Sequence, residues 1–143
     1  MARLFTGAAG AAMLALAVAG CASPSQPTAS NYRFEVVDAQ VHPSRDAQVR
    51  VRLVHLPDNR PIPGAVIYDH RFEMWMTGYK VVTSRMIEGT NPPPVLAVDE
   101  GNGIYRVHAE LPMAGEWRAT LTARVPGEAL PVRGTVAVRA GHG

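Results

Sequence analysis

From residue 32 onward, apolar and polar residues alternate with a period of two. The runs in which this is clearest are YRFEVV from Tyr32, VRVRLVHL from Val49, IYRVHAEL from Ile104, WRATLTARV from Trp117 and VRGTVAV from Val132. Successive side chains of a β-strand point to opposite faces of the sheet, so each run predicts a strand with one buried and one solvated face. No segment after Cys21 has the period of an amphipathic helix. The pattern therefore indicates an all-β fold.

The segments between these runs are rich in turn-forming residues. HPSRD, LPDNRPIPG, EGTNPPP, DEGNG, LPMAGE and VPGEALP hold most of the 12 prolines of the chain. Short strands with frequent turns predict an antiparallel, immunoglobulin-like β-sandwich of about seven strands over residues 32–140. The single cysteine rules out a disulfide between the sheets, and Trp117 is predicted to be the largest core side chain.

The first twenty residues have the layout of a secretory signal peptide, with one arginine followed by a short apolar stretch. Leu16 to Cys21, LAVAGC, resembles the bacterial lipobox, in which the cysteine is acylated and becomes the new N-terminus. An ordinary signal peptide with a chance cysteine is the alternative. Lipidation at Cys21 is favoured because the only cysteine of the chain occupies the one position that the motif requires.

Residues 21–31 carry the lipidated cysteine and a Pro- and Ser-rich stretch without periodicity, which predicts a flexible tether. We therefore expect an extracytoplasmic protein held on a bacterial membrane by its acyl chains. Ala22 follows the cysteine, so the acidic signal for retention in the inner membrane is missing. Where the cell has an outer membrane, the periplasmic face of that membrane is the expected location.

Charge and motifs argue against two classes of function. The net charge is +2 and the basic residues occur singly without aromatic interleaving, so we expect no nucleic-acid partner. The sequence has no nucleophile elbow, zinc-protease motif or glycine-rich phosphate loop, and its five histidines are dispersed. We therefore expect a protein without catalytic activity.

The stretch YDHRFEMWM, Tyr68 to Met76, contains the candidate binding residues. A strand over residues 66–76 places its even-numbered residues, His70, Met74 and Met76 included, on one largely apolar face. Thioethers and an imidazole are ligands suited to Cu(I), and neighbouring segments could add Met86 or Met113. The alternative is that these side chains are core packing. The odd face is polar but carries Trp75, which together with Arg71 is a candidate partner contact.

Two motifs resemble a known family. LPDNRPIPGAVI, residues 56–67, is similar to a G-x-P-V-x-G-A-x-V segment of YtkA-like domains, and Gly103-Ile104-Tyr105 followed by LPMAGEW, residues 111–117, is similar to a second. The resemblance extends from about residue 49 to residue 138, and FixH-type proteins form a related group. It implies an extracytoplasmic β-sandwich, often tethered to a membrane and without catalytic machinery.

Members of this family are associated with handling copper or other heavy metals, or with the assembly of membrane oxidases. Methionines often occur in the middle segment, where this chain has Met74 and Met76. The chain departs from the family by having Trp75 between these methionines and a lipobox in place of a transmembrane helix. Two functions follow as expectations: a lipid-anchored accessory domain that handles copper(I) with a metal-transport partner, or an interaction module that docks a membrane complex.

Overall fold

The computed structural model describes residues 28–87 and 95–141. The predicted signal peptide, Cys21 and most of the predicted tether lie outside the described residues. Two antiparallel sheets packed face to face account for most of the part that is described, which contains no helix. It accordingly contains no helix long and apolar enough to cross a membrane. The prediction of an all-β sandwich is confirmed.

Nine strands make up the two sheets. Their bounds are β1 Tyr32–Val36, β2 Ser44–His55, β3 Arg60–Pro61, β4 Val66–Met76, β5 Tyr79–Met86, β6 Ala97–Gly101, β7 Ile104–Leu111, β8 Gly115–Arg124 and β9 Val132–Ala140. The first sheet has the order β1-β2-β7-β6, with the two-residue β3 paired to β2, and the second has the order β5-β4-β8-β9. With β3 set aside, the first sheet holds the first, second, sixth and fifth strands, which correspond to strands A, B, E and D of an immunoglobulin domain, and the second sheet corresponds to strands C′, C, F and G.

The buried faces follow the predicted alternation. On β2, Val49, Val51 and Leu53 are buried, and the alternate residues between them are partly exposed. On β8, Trp117 is fully buried, as predicted, and alternates with exposed or partly exposed residues. The two inner faces meet in one apolar core that includes side chains from both sheets.

The prediction is wrong at the start of β4. Val66 is an even-numbered residue, so the alternation predicts that it lies on the apolar, buried face. Instead Val66 is 55% exposed, and Ile67 is 3% exposed. The register between β4 and β8 shifts between Ile67 and Asp69, which is a β-bulge. An extra residue in one strand reverses which side chains point inward on either side of it. Beyond the bulge the predicted parity holds, so His70 points into the core.

Two tight turns set the register of the hairpins. Thr77 and Gly78 connect β4 to β5, and Asn102 and Gly103 connect β6 to β7. Asn102 and Gly103 both have positive φ, as the type I′ turn of a two-residue hairpin requires. A Cβ on Gly103 would lie 2.8 Å from Cβ of Pro61, so this position also requires glycine for close packing against β3.

The sandwich has two distinct ends. At the tether end, the Ala29 N–H donates to the Pro131 carbonyl at 2.8 Å, and β4 begins at Val66. At the hairpin end, the β4–β5 turn lies beside the β7–β8 connection that precedes Gly115. The 11 residues of β4 run between the ends, which are therefore about 35 Å apart.

Candidate functional surface at the hairpin end

Met74 is part of the core. It is 5% exposed and packs in the same apolar cluster as Trp117. Its Sδ lies 2.6 Å from the position that a Cβ on Gly115 would occupy, so the absence of a side chain at Gly115 makes room for the sulfur. The surroundings of Met74 are those of a packing residue.

The other methionine candidates have different environments. Met76, the last residue of β4, is 39% exposed, and Met113 in the β7–β8 connection is partly buried against the core. Met74, Met76 and Met113 thus lie at the hairpin end. Met86 lies at the tether end and pairs with Asp69, so it faces away from the core and is 47% exposed.

His70 is buried on the inner face without a hydrogen-bond partner. It is 1% exposed, and neither ring nitrogen has a partner at hydrogen-bonding geometry among the described groups. Its ring meets that of Phe72 edge to face, with centroids 5.3 Å apart. Burial lowers the pKa of His70, and the charge of Arg85 acts in the same direction. The neutral imidazole is therefore the favoured form.

The geometry separates His70 from the thioethers. Four residues of extended strand place the Cα atoms of His70 and Met74 about 13 Å apart. The Met74 sulfur packs against Gly115. In the antiparallel register of β4 and β8, Gly115 lies further from His70 than Met74 does. No group of three or more His, Cys, Asp or Glu side chains within the described ranges could hold a metal ion. Among the candidate soft-metal ligands, Met74, Met76 and Met113 share the hairpin end of the sandwich.

Trp75 lies on the opposite face of β4, where it is 63% exposed. The Lys80 ammonium, on β5, stands 4.6 Å above the centre of the Trp75 ring in a cation–π contact. Glu73 connects Lys80 to Arg71, because its Oε1 lies 3.5 Å from Lys80 Nζ and 2.6 Å from Arg71 Nε. The candidate contact residues Trp75 and Arg71 are thus linked through one polar network on the outer face.

One further exposed apolar side chain lies near Trp75 on the outer face. Val82 pairs opposite Glu73 there and is 41% exposed, whereas Tyr79 pairs opposite Met76 and is 59% exposed on the other face of the hairpin. A groove of about 460 Å³ beside Trp75 continues the surface across β8 and β9, where its walls include Glu116 and Arg118. We call Arg71, Glu73, Trp75, Lys80 and Val82 the Trp75 surface.

Sequence reasoning found Trp75 and Arg71 but missed Glu73, Lys80 and Val82. Lys80 and Val82 lie on β5, whose weak alternation does not predict a strand, and Glu73 lies on the polar face of β4, where the sequence alone does not single it out. The signal that could have found them is Thr77-Gly78, a two-residue hairpin sequence directly after β4. Pairing β5 to β4 through that turn places Lys80 opposite Trp75 and Val82 opposite Glu73.

Comparison with known proteins assigns the chain to a family. No curated protein sequence matches it significantly. A family model described as YtkA-like matches residues 27–122, which is more than half of the chain and includes both motif segments noted above. The matched residues extend from before β1 into β8, so they include the β4–β5 hairpin. The chain belongs to the YtkA-like family.

Proposed function

We propose that this protein is a lipid-anchored, extracytoplasmic accessory domain without catalytic activity, which docks a protein partner through the Trp75 surface. The observation that carries the proposal is the exposure of Trp75, 63%, on a sandwich whose other tryptophan is fully buried. Exposed apolar clusters rimmed by charged residues often mark protein–protein contact sites.

The composition of the surface supports docking. Tryptophan and arginine are enriched among residues that dominate binding energy, and the surface contains Trp75 and Arg71. The ion pairs of Glu73 with Arg71 and Lys80 hold polar side chains around the ring, so fewer rotamers are lost when a partner binds.

The anchor gives the partner's expected location. Acylation of Cys21 keeps the domain at the extracytoplasmic face of a bacterial membrane, the outer membrane where one exists. A partner within reach is then an extracytoplasmic part of a membrane complex. Association with membrane-oxidase assembly in the family agrees with such a partner.

Photo-crosslinking in cells tests the docking function. A photoreactive residue placed at Val82, in full-length protein, should give adducts of defined mass with a protein partner. Trp75→Ala should abolish these adducts, while the free energy of unfolding changes by less than about 1 kcal/mol, since the side chain is exposed. The adducts would be identified by mass spectrometry.

Met86→Ala is the matched control, because Met86 is also an exposed apolar residue of the outer face but lies at the tether end. It should leave the adducts unchanged. Adducts that persist in the Trp75→Ala variant would contradict docking through this surface.

A second candidate function is the handling of copper(I), and the grouping of Met74, Met76 and Met113 at the hairpin end favours it. Thioethers prefer soft cations such as Cu(I). Met76 is exposed and could bind an incoming ion first, after which rotation of the partly buried Met113 would supply another sulfur. In this role the protein would bind copper(I) reversibly and transfer it to a transport partner.

Titration with Cu(I) against a competing chelator tests the second candidate. The double variant Met76→Leu, Met113→Leu should lose affinity at least tenfold, because leucine keeps the side-chain volume and removes the ligand. Met86→Leu should bind like the wild type. Equal affinity of all three proteins, or no binding by the wild type, would exclude a thioether copper site at the hairpin end.

A further inference from the structure

We propose that the tether end of the sandwich binds the phosphate groups of an anionic phospholipid surface, which would hold the domain upright with its hairpin end away from the bilayer. The inference goes beyond docking and rests on the proposed acylation of Cys21. Its three supports are the length of the chain between Cys21 and the fold, a pair of arginines, and exposed apolar side chains around them.

The chain length keeps this end close to the membrane. Six residues lie between Cys21 and Thr28, and the seven Cα–Cα steps that join them span at most about 25 Å when fully extended. The Ala29 N–H then bonds to the Pro131 carbonyl, so the chain enters the domain at the β8–β9 connection. An acylated Cys21 therefore keeps the β8–β9 connection near the lipid headgroups.

Two guanidinium groups lie beside this entry point. Arg124 ends β8 and stacks over the Tyr68 ring at 4.8 Å, and Arg133 pairs opposite Thr122 on the adjacent β9. Both side chains are exposed, and neither forms an ion pair with any of the described carboxylates. They line a cleft of about 280 Å³ that is also lined by the Thr28 residue of the tether. Guanidinium forks suit phosphate oxygens.

The carboxylates at this end are mostly engaged. Glu128 accepts a hydrogen bond from the Tyr32 hydroxyl at 2.6 Å, and Asp58 contacts His55 Nδ1 at 2.8 Å. Asp69 lines the cleft with the two arginines, so the cleft has two cations and one anion. The local charge at the cleft therefore favours an anionic group.

Apolar side chains frame the arginines. Val66 pairs directly opposite Arg124 and is 55% exposed, and Leu130 in the β8–β9 connection is 42% exposed. Leu130 and Arg124 line one further cleft with Tyr68 and with Glu128, whose carboxylate accepts the Tyr32 hydrogen bond. Exposed aliphatic groups beside arginines suit a bilayer interface, where the aliphatic groups enter the headgroup region and the guanidinium groups meet phosphates.

Fluorescence quenching on nanodiscs tests the inference. Full-length chain purified from membranes with its own acyl anchor is reconstituted into nanodiscs that contain phosphatidylglycerol and a lipid with a nitroxide headgroup. One fluorophore is attached at Ala129→Cys, next to the arginines, or at Thr77→Cys in the β4–β5 turn. We expect strong quenching at residue 129 and little at residue 77, because about 35 Å separates the two ends.

Charge variants on the same strands distinguish this contact from nonspecific attraction. Each arginine at an anionic surface changes partitioning about fivefold, so Arg124→Gln with Arg133→Gln should lower the docked-to-undocked ratio about 30-fold. The matched control is Arg118→Gln with Arg139→Gln, which removes the same charge from the outer faces of β8 and β9 nearer the hairpin end and should leave the docked-to-undocked ratio on lipid unchanged. Zwitterionic lipid should give weak quenching at residue 129.

Equal quenching at residues 129 and 77, equal quenching in zwitterionic and anionic lipid, or equal effects of the two arginine pairs would overturn the inference and leave the docking function intact. A purified chain whose mass lacks acyl groups would overturn the proposed anchoring and this inference together. The docking function is tested separately, because adducts at Val82 do not require contact with lipid.

Discussion

At the scale of single residues, His70 is the most unusual side chain of the described core. A buried polar group without a hydrogen bond typically costs about 1–3 kcal/mol. Leu121 lies opposite it on β8, Arg85 lies opposite it on β5, and the backbone of His108 on β7 lies nearby. The adjacent Asp69 faces outward, so its carboxylate cannot bond the ring from the inner face. Burial lowers the pKa of His70 and outweighs the opposing interaction with the His108 backbone, so the neutral imidazole is the favoured form at this site.

Stability should therefore fall in acid. Burial lowers the pKa of His70 in the folded state, whereas in the unfolded state it titrates near 6.5. The unfolded state then binds more protons below that pH, so the contribution of His70 is complete above about pH 6.5 and is lost as the pH falls further. Urea unfolding between pH 8 and pH 5 should show a decline of at most about 1.4 kcal/mol per pH unit from this residue.

His70→Leu should remove this part of the acid sensitivity and leave stability at neutral pH equal or higher, since leucine has no polar atom to desolvate. His108→Gln is the control, because the His108 side chain faces outward toward Asp46 at 3.4 Å. It should keep the decline of the wild type. The same decline in His70→Leu would show that other groups cause the acid sensitivity.

At the scale of elements, β4 combines packing and surface functions in one strand. Its inward residues pass from a buried His70 through Phe72 and Met74 to an exposed Met76, because the strand extends to the open hairpin end. Its outward residues provide Arg71 and Trp75. The bulge at its start inverts the pattern there, so Ile67 is buried although its parity differs from that of Met74.

The two methionines of β4 should differ in their effect on stability. Met74→Ala should lower the free energy of unfolding by about 2–5 kcal/mol, since it leaves a cavity beside Trp117. Met76→Ala should change it by less than about 1 kcal/mol, because the side chain is largely outside the core. Urea denaturation of both variants measures the difference. Similar losses in the two variants would contradict the burial of Met74.

At the scale of the whole molecule, the sandwich presents different chemistry at its two ends. Trp75, Tyr79 and Met76 are exposed at the hairpin end, whereas Arg124 and Leu130 are exposed at the tether end. The β-sheets hold these ends apart with strands of up to 12 residues, so one end can face a membrane while the other faces a protein. The proposed docking and lipid-binding sites therefore do not compete for the same surface.

Most of the fold could be predicted because the patterns that indicate strands and turns are formed by residues close together in the sequence. The alternation of β2, β7 and β8 predicted which side chains are buried, and the segment DEGNG predicted a turn, which Asn102 and Gly103 form. The candidate site was harder, because its members come from β4 and β5 and meet only through strand pairing. The pairing of Lys80 with Trp75 depends on a register that single-strand periodicity does not contain.

The sequence by itself determined the all-β class and the buried and solvated faces of the regular strands, because side-chain direction in a strand follows from residue parity alone. The tertiary structure alone decided the inversion at Ile67, the packing of the Met74 sulfur against Gly115, and the groove that continues the Trp75 surface across β8 and β9. Each of these depends on which strands are neighbours and how far one extends past another. Such relations join residues distant in sequence, so they arise only when the two sheets pack.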